Sequence, residues 1–143
     1  MKTHKWQLRY VEWLSAEEMY EASKNWESEL GFIHDEQLFF EHLLQKIITA
    51  IPNPSESISE LELIGKLEPL KKECNVLYSE VISHQEKLSS LVDGVHLHTN
   101  EAEQKQVHYE LMDIVGRFYL GHQQFKKRLF AVIKSQLKVT ATK

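Results

Sequence analysis

The chain has 143 residues, 42% of them hydrophobic and 27% charged, with a formal net charge of −4. That length fits one domain able to bury a core without staples, and a single cysteine, Cys74, excludes an intramolecular disulfide. Five glycines and three prolines argue for few turns and long elements, and against a β-sandwich or a loop-rich fold.

The first stretch, residues 1–14, reads two ways. Trp6, Leu8 and Tyr10 alternate as in a strand, whereas Trp6, Tyr10 and Trp13 share one helix face. We expect an aromatic arm that packs against the bundle end or against a second subunit. Lys5, Arg9 and Glu12 interrupt its apolar residues, so it does not read as a signal peptide. No run approaches the roughly 20 apolar residues that cross a bilayer. A soluble, cytoplasmic protein is the expectation.

Ser15 opens the first helix, expected over 15–51, with Glu18 completing a capping box. Met19, Trp26, Ile33, Phe40 and Ile47 recur seven apart, interleaved with Ser23, Leu30, Gln37, Leu44 and Ile51. Phe32, Leu38, Phe39, Leu43 and Ile48 widen this stripe beyond a simple seam, as expected of a helix that also meets a partner. Pro52 and Asn53-Pro54 stop it.

The second helix, expected over 57–93 behind a Ser57/Glu60 capping box, carries the seam that organises the chain. Leu63, Leu67, Leu70, Cys74, Leu77, Val81, His84, Leu88, Leu91 and Val95 follow one another three or four apart. Pro69 falls inside the pattern and opposes the carbonyl of Gly65. Because the seam keeps its phase, we expect a kink there, and a four-helix bundle is the alternative should the helix break. Asp93-Gly94 ends it. The third helix, expected over 100–137 and capped by Thr99 or Asn100, places Leu111, Phe118, Phe125 and Val132 beside His108, Val115, His122, Leu129 and Gln136. Residues 138–143 read as a loose tail.

Short connections force antiparallel neighbours, so the predicted fold is all-α: an up-down-up bundle of three long, coiled-coil-like helices in a single domain. Folding about the two turns aligns His84 with His108 and with Ser23 or Trp26, and Cys74 with Gln37 and His122. Two polar layers then interrupt an apolar core, where they penalise slipped registers. Charge is uneven as well. Residues 15–51 hold eight acids and two bases, 55–95 eight and four, and 98–143 four and eight. Attraction between helices accounts for this, and no nucleic-acid or membrane partner is expected.

Metal binding is the functional alternative for these histidines. His84 and His108, with Glu80 one turn before His84, form one candidate set; His96 and His98, near Asp93 and His4, form another. Neither has supporting spacing. No Glu stands three before a helical His, as a di-iron carboxylate bundle needs, and there is no His-Glu-x-x-His or Cys-His zinc pattern. His34, Glu41 and His42 read as surface groups. No phosphate loop, nucleophile elbow or supported Cys-His pair appears, so no catalytic residue and no cofactor are expected. The reading is a non-enzymatic structural or protein-interaction bundle, a homodimer being the economical arrangement because one self-complementary patch serves twice. A metal-binding bundle is the alternative, and a ligand cavity beside Pro69 is a third.

Overall fold

The computed structural model describes residues 13–94 and 100–141, with side chains over 13–53, 55–94 and 100–137. Three helices pack together: α1 (Ala16–Ala50), α2 (Ile58–Val92) and α3 (Glu101–Ala141), with a 3₁₀ turn, Pro54–Ser57, before α2. No strand occurs among the described residues. None of the described helices is long and apolar enough to cross a membrane.

Local chemistry sets the helix ends. Ser15 and Glu18 form the expected capping box, each backbone N–H donating to the other's side chain at 3.1 Å. Leu14, just before it, is buried against Met19 and Leu88, the hydrophobic staple that fixes how the chain enters α1. Trp13 stays 84% exposed, and the rest of the aromatic arm lies outside the described residues. Beyond α1, the Asn53 side chain accepts the Ser55 N–H at 3.2 Å and starts the 3₁₀ turn. Glu60, expected to serve the α2 cap, takes the Gln136 amide of α3 at 2.7 Å. Asn100 caps α3 by accepting the Glu103 N–H at 2.7 Å.

Two expectations about continuity meet the structure. Pro69 lies inside α2, and the helix runs through it as one element. The proline and Gly65 are both exposed, so the lost backbone bond falls on the solvent side, where water can take the carbonyl. At the other end, α3 continues to Ala141, four residues beyond the expected stop at 137. Nothing in Lys138-Val139-Thr140-Ala141 breaks a helix already nucleated.

The chain forms two compact units, Met1–Phe32 with Asn75–Arg117 and Ile33–Cys74 with Phe118–Lys143. In the first unit Leu14, Met19 and Leu88 are buried, with Tyr20 and Leu91 packed on them. In the second, Phe40, Leu44, Leu63, Leu67, Phe125 and Leu129 form the core, with Ile64, Leu70, Val132 and Ile133 around it. The α2 seam is buried as the spacing requires: Leu63, Leu67, Cys74, Leu77, Val81, His84 and Leu88 are each no more than 2% exposed. Each such aliphatic side chain contributes roughly 1.5–3 kcal/mol by leaving water.

The uneven charge pairs across helices in the second unit. Lys126 meets Glu36 at 2.9 Å, Arg128 meets Glu62 at 3.3 Å, and Lys71 meets Glu41 at 2.6 Å. All keep part of their surface in water, so they orient the helices more than they stabilise them.

Candidate functional site

Helical spacing brings histidines to the interior at two places, one in each unit. In the first unit His84 of α2 and His108 of α3 face each other with His84 Nε2 2.9 Å from His108 Nδ1. His84 Nδ1 lies 2.9 Å from Gln104 Oε1, one turn before His108. The α1 side is closed by Trp26, whose ring stacks on His108 at 4.7 Å between centroids and 25° between planes. Both imidazoles are at most 1% exposed.

Hydrogen-bond logic fixes the protons. The Gln104 carbonyl oxygen can only accept, so His84 Nδ1 carries a hydrogen and donates to it. His84 Nε2 is then a bare acceptor, and His108 Nδ1–H donates to it. The chain of bonds ends at His108 Nε2, a buried lone pair with no hydrogen-bond partner among the described residues. Burial pushes His108 down to about 3, with the neighbouring His84 adding to the effect. Burial also lowers His84; its bond to Gln104 opposes that shift, and Lys87 reinforces it. Both rings are therefore neutral near pH 7.

In the second unit the imidazole of His122 is held by a carboxylate. His122 Nε2 donates to Glu36 Oε1 at 3.0 Å, and Lys126 takes the other oxygen at 2.9 Å. Burial pushes the Glu36 carboxyl up, but the bonds from Lys126 and His122 outweigh it, and it lies below its ordinary value. The His122 ring stacks between Phe40 and Phe118, at 6.2 and 6.4 Å. Its Nδ1 and both amide atoms of the fully buried Gln37 make no hydrogen bond among the described residues. Cys74 is 1% exposed, and burial, with Glu73 nearby, lifts its thiol to about 11. A thiol so reluctant to ionise is a poor nucleophile.

The expected pairing of His84 with His108 and Trp26 is thus present. Of the expected layer, Cys74, Gln37 and His122 are all buried, and His122 bonds to Glu36, the residue before Gln37. Glu36 flanks the seam rather than lying on it, and the heptad spacing of the core does not single out flanking groups. Gln104 was also missed, although it extends the His108, Leu111 and Val115 seam back by one turn. Glu80 is exposed, whereas His84 is buried. His96 and His98 lie outside the described residues.

Two nitrogens on one tetrahedral zinc, with bonds of about 2.0 Å, stand roughly 3.3 Å apart. The 2.9 Å between His84 and His108 is a hydrogen-bond distance that suits a shared proton. Among the described residues no group of three or more His, Cys, Asp or Glu is placed to hold a metal ion. Two hollows on the second unit, one along His42, Gln45, Lys46, Thr49 and Ala50 and one between Glu60 and Gln136, do not include Pro69 in their walls. In comparisons with protein families, curated proteins and solved structures, nothing matches this chain.

Proposed function

We propose that this is a non-enzymatic protein-interaction bundle whose docking face lies on the second unit between α1 and α3. The observation that carries this reading is the aromatic pair left in water beside the core. Phe39 is 62% and Phe130 50% exposed, and each lies next to the buried Phe40, at 6.1 and 6.2 Å between ring centroids. Leu137, two turns after Phe130, is 64% exposed. Exposed aromatic side chains of this kind suit an anchor for a partner.

Charge argues for the partner's chemistry. Lys127, Phe130, Lys134 and Leu137 follow one another three or four apart on α3, and Lys46 lies two turns after Phe39 on α1. All three lysines are exposed. A two-fold pairing of this face with itself would set lysine against lysine, so the occupant is another protein: an amphipathic helix with an apolar face and acidic flanks.

The test is binding, followed by fluorescence anisotropy, of two synthetic helical peptides with the same Leu/Phe face, one flanked by Glu and one by Lys. The Glu-flanked peptide is expected to bind more tightly, to weaken with salt, and to lose at least tenfold in affinity with F39A/F130A. Equal binding of the two peptides, or no binding, overturns the proposal. So does a homodimer in light scattering that the same double substitution dissolves, because that result gives the face to a second copy.

A further inference from the structure

The interaction reading makes no use of the buried imidazoles of the first unit. We propose that the His84–His108 pair is an acid-labile lock, closed only while both rings are neutral, that lets the first unit loosen in mild acid while the second unit stays folded.

The geometry supplies one place for an added proton. Three of the four ring nitrogens are committed, to Gln104 and to each other. His108 Nε2 alone offers a lone pair, and it is buried. A proton there creates an imidazolium whose neighbours do little to hold it. From α1 comes the Trp26 ring, which offers its π face. From α2 comes Lys87, a like charge felt by His84. From α3 comes Gln104, already bonded to His84. Glu80 is exposed on α2, and Lys105 faces Glu101 on the surface at 3.9 Å. No carboxylate is among the groups acting on either ring. The folded unit therefore refuses protons that an unfolded histidine accepts at about pH 6.5.

The sign follows directly. Both folded values are depressed, so their stability is fully present above about pH 6.5 and is lost as pH falls. Each imidazole still neutral in the fold lowers the folding constant by up to about tenfold per pH unit, hence about sixteenfold between pH 6.5 and 5. In the second unit the His122 ring is bonded through Nε2–H to the Glu36 carboxylate, a negative charge that the His84–His108 pair lacks. The carboxylates there, Glu36 and Glu41, hold their charge below their ordinary 4.5. Between pH 6.5 and 4.5 the acid penalty from the buried pair falls on the first unit.

Hydrogen exchange on the full chain, corrected for intrinsic rates, tests this between pH 7.5 and 5. Protection in 16–32, 75–94 and 100–117 is expected to fall before that in 33–74 and 118–137. Imidazole carbon signals of His108 should stay at their neutral positions in the folded protein over the same range, and those of His84 should titrate below the free-histidine range, a measurement that needs no substitution. In H84L/H108F, where Phe keeps a ring against Trp26, the acid loss in the urea midpoint should shrink. Simultaneous loss of protection in both units, a urea midpoint flat from pH 7.5 to 5, or folded-state titration of both rings near 6.5 overturns the proposal.

Discussion

At the scale of single residues, the pair His84–His108 was within reach of the sequence because it needed only level, not rotation. Both rings lie on seams, and counting back from the second turn sets them side by side. The bond from His122 to Glu36 depended on which flank of α1 faces α3, a matter of about 100° per residue, and the seam alone does not specify it. Gln104 is the residue through which the imidazole pair is most easily tested. Gln104→Leu removes the acceptor of a buried N–H and should cost about 1–3 kcal/mol, read as a lower urea midpoint at pH 7.5. Gln104→Glu places a carboxylate beside His84 and should flatten the loss of stability on acidification. An unchanged pH profile in that variant would mean that the field at His84 is not set by this side chain.

At the scale of elements, helix starts were legible because their signals are local. Ser15 with Glu18 and Asn100 with Glu103 are read off neighbouring letters, and both make the bonds expected of them. Asn100→Ala should cost about 1 kcal/mol in chemical denaturation, and Asn100→Gly only a few tenths. The Glu60 side chain was harder to place, because local capping and a partner on α3 compete for the same carboxylate, and the bond to Gln136 joins residues 76 positions apart. The end of α2 relies on Gly94, whose φ of 78° is the left-handed region that a side chain resists. Pro69 is the element-scale feature most open to improvement. Pro69→Ala restores a donor on an exposed helix face, and a gain of about 1–3 kcal/mol is expected. A drop in melting temperature would show instead that the proline's geometry is required by what α2 packs against.

At the scale of the whole molecule, fold class followed from the period of three and four sustained through three long segments, with few glycines and prolines to interrupt it. The division into two units was not visible, because the hydrophobic spacing passes through Phe32, Asn75 and Arg117 without a change of composition. Stability should be carried by the apolar centres rather than by the visible ion pairs. Leu67→Ala or Leu129→Ala, both fully buried in the second unit, should cost about 2–5 kcal/mol. Arg128→Ala, whose pair with Glu62 is half exposed, should stay within about 1 kcal/mol. Acid brings a second, later loss. The Glu36 and Glu41 carboxyls lie below their ordinary 4.5 in the fold, so their contribution is present above that pH and disappears as pH falls through the lowered values. Circular dichroism in the range below pH 4.5 should show a further drop that is weaker in E36Q.

The lone thiol of Cys74 has a practical consequence of its own. Closed in by α2's neighbours and held at about 11, it is shut off from a disulfide reagent for as long as the second unit stays shut. Once that unit opens, the sulfur regains ordinary acidity and reacts within the opening. The rate of colour release from an aromatic disulfide at pH 8 is then a clock for breathing motions, one tick per exposure, wired into the chain without any label being added.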